Sequence, residues 1–139
     1  MPKFYTNAED LVNDSEVNAV YIATPPSLHE VYTEMALKAG KPVYVEKPVT
    51  TDAASVKRMI GYEKKYAGKV SVAHYRRALP LFRTIKELLQ ANRIGKVKLV
   101  LLKTLQPVAS KIVAQTNENW RIDPQYSGGG LFHDLSPHQ

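Results

Sequence analysis

The sequence predicts an α/β fold in which an open parallel sheet wound with helices runs into the start of a second unit of mixed α and β structure. Three observations carry this expectation. The β-type runs Asn18-Ala-Val-Tyr-Ile-Ala-Thr24 and Val43-Tyr-Val45 are apolar throughout, the pattern of strands covered on both faces. Between them, Leu28, Val31, Tyr32, Met35 and Ala39 recur at helical spacing. The interval suits the crossover that parallel strands require, and the unit then repeats once.

Taken in order, Thr6-Asn-Ala-Glu9 has the form of a capping box, in which a hydroxyl and a carboxylate satisfy the first free amides of a helix, here a short one to about Asn13. Pro25-Pro26 ends the first strand. Ser27-Leu-His-Glu30 repeats the capping pattern and opens the second helix, and Gly40 supplies its left-handed stop. Lys41-Pro42 leads into the second strand. Thr51 or Asp52 caps a third helix that turns Val56, Met59, Ile60 and Tyr66 inward; Gly68 ends it, and Val70 to Tyr75 forms the third strand. Beyond Tyr75 the pattern changes. Pro80 starts a helix with Phe82, Ile85, Leu88 and Leu89 inward, Gly95 follows, and Val97 to Leu105 has the composition of a long strand. From Gln106 the chain is turn-rich and aromatic and contains Gly128-Gly-Gly130. Three strands before Tyr75 are fewer than the five or six usual for such a sheet, so the sequence is expected to be a fragment whose open edge favours aggregation or swapped pairing.

Composition narrows the function classes. The 139 residues can bury a core, and a hydrophobic fraction of 44% beside a charged fraction of 23% is near globular averages. No apolar run reaches the ~18 residues of a membrane span, no secretory leader opens the chain, and there are no cysteines, so a cytoplasmic protein without membrane contact is expected. The net charge of +6 is spread over several segments and forms no single stripe. That argues against nucleic acid and for solvated helix faces with an anionic small molecule as the most the charge implies.

In open parallel sheets, ligands sit beyond the carboxyl ends of the strands. Thr24-Pro25-Pro26 and Glu46-Lys47-Pro48 therefore share the ligand edge. A lysine there can hold a hydroxyl or carbonyl and exchange a proton, and side-chain alternation points Glu46 elsewhere. The alternative is an edge salt bridge with a turn proline. The second constellation is Gly128-Gly-Gly followed by His133, Asp134 and His138. A carboxylate can fix an imidazole in the tautomer that serves as a base. On one helix Asp134 and His138 share a face, whereas with Ser136 as cap and Pro137 as first helical residue they do not. No recognised metal-ligand spacing is present, so no metal is expected.

In order, Asn18-Ala-Val-Tyr-Ile-Ala-Thr-Pro-Pro-Ser-Leu-His29, Ala39-Gly-Lys-Pro-Val-Tyr-Val-Glu-Lys-Pro48, Arg76/Arg77 with Pro80, Arg93-Ile-Gly95, Trp120-Arg121 and Gly128-Gly-Gly…Asp134…His138 resemble the glucose-fructose oxidoreductase, inositol dehydrogenase and rhizopine-catabolism (Gfo/Idh/MocA) family along essentially the whole chain. The resemblance implies residues 1–76 as the C-terminal part of a Rossmann-like dinucleotide-binding domain and 77–139 as the beginning of a substrate and oligomerisation domain. It implies hydride transfer between NAD or NADP and a sugar, polyol or related hydroxy compound, and a homo-oligomer at full length. It further implies Lys47, Asp134 and His138 as the proton-transfer set, with Thr24, Pro25, Pro26, His29, Glu46, Pro48, Trp120 and Arg121 lining the cofactor, and a cis Lys47–Pro48 bond. No Gly-x-Gly-x-x-Gly turn precedes Thr6, and Ser136-Pro137 stands where many relatives have glycine. The chain alone is therefore expected to bind cofactor weakly and to be inactive. Other outcomes open to the same fold are a non-catalytic scaffold and a cofactor-assisted glycosidase.

Overall fold

The computed structural model describes residues 3–103, 105 and 120–138; the side chain of His138 lies outside the described part. Its centre is a three-stranded parallel sheet in the order β1 (Val20–Ile22), β2 (Val43–Val45), β3 (Val70–Val72). Val20 pairs with Val43, and Val43 with Val70, so the carboxyl ends of all three strands lie together. Helix α1 (Ala8–Asn13) precedes the sheet, while α2 (His29–Lys38) and α3 (Ala53–Lys65) are the crossovers and pack on one another. Val12, Ile22, Ala36, Leu37, Val43, Val45 and Met59 form the core.

Several local expectations are met with a shift of one residue. The first helix is capped by Asn7, whose Oδ1 accepts from the amide of Glu9 at 2.9 Å, so the Thr6–Glu9 box does not form. The Ser27–Glu30 box is also absent. A single 3-10 turn, Pro26–Leu28, intervenes and α2 starts at His29. Glu30 instead accepts from Arg58 at 2.5 and 2.7 Å, tying α2 to α3. Of the two candidate caps for α3, Asp52 takes the role, accepting from Ala54 and Ser55 amides at 2.8 and 2.9 Å.

Gly40 ends α2 at φ +71, with the Lys41 amide reaching back to Ala36 at 2.9 Å. At the end of α3 the left-handed residue is Ala67, not Gly68. Gly68 makes a close approach instead: a Cβ there would stand 2.4 Å from Cδ2 of buried Leu37, which would have to shift.

The inward faces of the helices differ from the simple periodic reading. On α2 the buried residues are His29, Thr33, Ala36 and Leu37, while Leu28 and Val31 are exposed. Leu37 is in the core and Tyr32, Met35 and Ala39 pack against it, as the spacing predicts, while Thr33 and Ala36 on α2 and Ser55 on α3 are also buried where the two helices pack together. On α3, Met59 is buried and Tyr62 and Tyr66 pack beside it, but Ile60 is exposed.

The third strand stops at Val72 and gives way to a 3-10 turn over Tyr75–Ala78. Helix α4 (Pro80–Gln90) forms with Pro80 in its first turn, as expected, but Ile85, Leu88 and Leu89 are exposed among the described residues. No strand forms over 97–103 or at 105; the rest of the expected Val97–Leu105 strand, residue 104, lies outside the described residues. Two short helices close the chain, α5 (Pro124–Ser127) and α6 (Gly130–Leu135), followed by a 3-10 turn over Ser136–His138. Every fully buried apolar side chain described lies before residue 76.

Candidate active site

The short C-terminal helices return to the carboxyl edge of the sheet. Asp123 caps α5 through the Gln125 amide at 2.9 Å, and α5 packs on the Pro26–Leu28 turn. Gly128, at φ +84, then turns the chain against the segment after β2: a Cβ on it would meet Thr51 Cα at 2.8 Å and Thr51 O at 2.9 Å. Ser127, fully buried, accepts from the Gly130 amide at 2.8 Å and donates to Asp123 O at 2.8 Å, which fixes the start of α6. The sequence signal for this role of Ser127 is its place immediately before three glycines.

The consequence is a contact across 87 residues of sequence. Lys47 Nζ lies 2.8 Å from Asp134 Oδ1 and 2.9 Å from the Asp134 carbonyl oxygen, using two of its three N–H donors. Arg121 Nη1 stands 2.9 Å from Asp134 Oδ2, and its guanidinium lies over the Trp120 ring at 4.5 Å. The Lys47 and Asp134 side chains are only 10% and 6% exposed, so the pair is desolvated and not an edge salt bridge. Burial by itself would raise the Asp134 carboxyl, but the hydrogen bond and charge of Lys47, with Arg121, outweigh it and hold the carboxyl below its ordinary value.

Glu46 and Lys47 do diverge. Glu46 accepts from the Tyr21 hydroxyl on the neighbouring strand, beside a Tyr21–Tyr44 ring pair, while Lys47 turns to α6. The Lys47–Pro48 bond is cis. Thr24 lies two residues beyond β1, and its Oγ1 is buried with no partner among the described residues. Pro25 and Pro26 follow at the same edge, Pro26 and Pro48 being buried.

His29 is fully buried and its ring faces only backbone carbonyls: Thr24 O at 2.8 Å from Nε2, Pro48 O at 3.0 Å and Val49 O at 3.3 Å from Nδ1. His133 Nε2 is 3.2 Å from Thr50 O. The two Asp134 oxygens face Lys47 and Arg121, while the expected pairing of Asp134 with His138 involves a ring outside the described part. The backbone of His138 lies in the turn just after α6, so the His138 ring is the one member of the expected set outside the described part. Among the described residues no group of three or more His, Cys, Asp or Glu could hold a metal ion, and no helix is long and apolar enough to cross a membrane.

The parallel sheet carries these ion-paired residues at its carboxyl edge, the place where open α/β folds bind ligands. Residues 1–74 match the model of the oxidoreductase family with an NAD-binding Rossmann fold, and residues 82–139 match that of the GFO/IDH/MocA C-terminal domain. The chain belongs to the GFO/IDH/MocA oxidoreductase family.

Oxidoreductase P35 of Formosa agariphila is 46% identical over 134 residues, covering 96% of this chain and 42% of that protein. Inositol 2-dehydrogenase of Rhizobium meliloti is 28% identical, covering 89% and 34% respectively. The chain thus spans well under half the length of these curated relatives. Among solved structures, an NAD binding oxidoreductase from Klebsiella pneumoniae superposes over 96% of this chain and 35% of that one, with a TM-score of 0.72 and 26% identity. A scyllo-inositol dehydrogenase from Lactobacillus casei, solved with NAD(H) and scyllo-inositol, covers 64% of this chain and 26% of its own, with a TM-score of 0.60 and 30% identity.

Proposed function

We propose that the protein takes part in hydride transfer between NAD(P) and the carbinol carbon of a sugar, polyol or related hydroxy compound, with Lys47 meeting the reacting oxygen. The observation that carries this is the buried Lys47–Asp134 pair at 2.8 Å, built at the strand ends from two distant segments. Buried charge pairs are costly to assemble, and a cleft-edge pair with a shifted carboxyl is a candidate functional site. One of the Lys47 donors remains for a substrate oxygen.

The residues at this edge fit a dinucleotide. Thr24 Oγ1 and Arg121 Nε, buried and without a partner among the described residues, are suited to a ligand that brings acceptors. Thr24, Pro25, Pro26, Glu46, Pro48, Trp120 and Arg121 would line it, and His29 would support it from beneath. When bound, the nicotinamide accepts or supplies the hydride.

The chain's own residues handle the proton and the charge. As a hydroxyl oxygen gains negative charge, the Lys47 ammonium stabilises it, and Asp134 balances that ammonium while holding it at one position. His138, one turn beyond Asp134, would take the proton as general base. Residues 1–76 would contribute the dinucleotide side and 77–139 the substrate and subunit-contact side.

The test is turnover of inositols, sugars and other polyols with NAD and NADP, comparing Lys47→Ala with the parent. The expected loss is about 10²- to 10⁴-fold in kcat with cofactor affinity retained. Failure of any hydroxy compound to be oxidised by the longest natural form of the protein would overturn the reading, and so would full activity in Lys47→Ala. Release of a sugar without accumulation of reduced nicotinamide would indicate the cofactor-assisted cleavage chemistry instead.

A further inference from the structure

Three successive carbonyls after the cis bond, those of Pro48, Val49 and Thr50, receive no backbone amide among the described residues. Thr50 is 5% exposed and Pro48 is buried, so these acceptors need side-chain donors. The groups facing them are two imidazoles from different helices. His29 reaches Pro48 O and Val49 O from α2, and His133 reaches Thr50 O from α6. Thr51 completes the contact by lying against Gly128.

We propose that His29 and His133 are positioning residues that tie the 48–50 turn to α2 and α6 and thereby set where the Lys47 ammonium sits. His29 thus acts through the Lys47 segment and not by touching a cofactor. The turn follows Lys47 directly and Pro48 O is about five bonds from the Lys47 Cα, so a shift of the turn backbone is passed along the chain to the lysine. His133 adjoins Asp134 in α6, so it couples the turn to the very carboxylate that Lys47 meets. The value of this clamp to catalysis rests on the proposed role of Lys47; its existence does not.

A neutral imidazole carries one N–H, so the two sides of His29 can be separated by isosteric amides. In His29→Asn the amide nitrogen can occupy the Nδ1 place and keep a donor toward Pro48 and Val49. In His29→Gln the donor falls on the Nε2 side, toward Thr24. For His133, Gln preserves the donor toward Thr50.

The experiment is trace acetylation of lysine amines with acetic anhydride on the 139-residue chain, read by mass spectrometry for each variant. Lys47 is the reporter. Lys41 is the control, since its Nζ is held by Asp14 O at 3.0 Å and Val17 O at 2.6 Å at the other end of the sheet. His29→Ala and His133→Ala are expected to raise Lys47 labelling about fivefold as the segment opens locally, with Lys41 unchanged. His29→Asn and His133→Gln should restore it to within about twofold, and His29→Gln should not.

Unchanged Lys47 labelling in His133→Ala overturns the clamp, as does equal rescue by Asn and Gln at position 29. If Lys41 labelling also rises in His29→Ala, that variant has lost its fold and the His133 pair decides alone. No turnover is measured, so a failure of the clamp and a failure of the enzymatic reading are distinguishable.

Discussion

Replacing Lys47 by methionine keeps the unbranched stem and removes the ammonium, leaving the buried Asp134 carboxylate with Arg121 alone. Breaking a buried pair by removing one partner ordinarily costs about 3–5 kcal/mol, because an uncompensated charge stays desolvated. Here the carboxylate keeps a second cation at 2.9 Å, on a guanidinium whose side chain is 30% exposed. The expected loss is therefore below that range, about 2–3 kcal/mol. Asp134→Asn removes the charge but keeps a polar group of the same shape, and the double variant should cost less than the sum of the singles, with a coupling of about 1–3 kcal/mol.

Urea unfolding of the four chains in a double-mutant cycle is the assay. The sign of the pH dependence gives an independent check. The Asp134 carboxyl lies below its ordinary value of 3.8 in the folded state, so the unfolded state binds more protons in the interval between the two values. The contribution is fully present above the ordinary value and is lost as the pH falls through the lower, folded one. Lys47→Met should flatten that acid limb, and Asp134→Asn should remove its contribution. A Lys47→Met cost under about 0.5 kcal/mol with an unchanged acid limb would refute a desolvated pair and return Lys47 to an exposed surface contact.

Gly128→Ala should destabilise by about 3 kcal/mol or more, since it combines a left-handed φ with contacts of 2.8 and 2.9 Å to Thr51 backbone; protease protection of the α5–α6 segment should fall with it. Gly68→Ala should cost about 1–3 kcal/mol through displacement of buried Leu37, whereas Gly61→Ala, inside α3 with nothing within 4 Å, should stabilise by about 0.5–1 kcal/mol; paired thermal melts distinguish them. Asp52→Ala should lower stability by about 1 kcal/mol as two amides lose their cap, and Asp52→Ser should recover most of it in the same melts.

The sequence by itself determined the parts that depend on a few neighbouring residues. Apolar runs marked the parallel strands, although the face carrying Tyr21 and Tyr44 is exposed and not covered as expected. Gly40 marked the end of α2 and Asp52 stood at the start of α3, because left-handed turns and caps are satisfied within one or two turns of chain. The order of short motifs also carried the family resemblance. Tertiary structure decided what distance in sequence conceals. Leu28 and Val31 are exposed while Thr33 and Ala36 are buried, and at the end of α3 it is Ala67 that takes the left-handed conformation, with Gly68 lying against Leu37. The partners of Asp134 and the carbonyls facing His29 likewise come from strand ends and turns far along the chain. Local pattern reports which groups each element presents; only packing decides which opposite charge or acceptor lies close enough, and dry enough, to engage them.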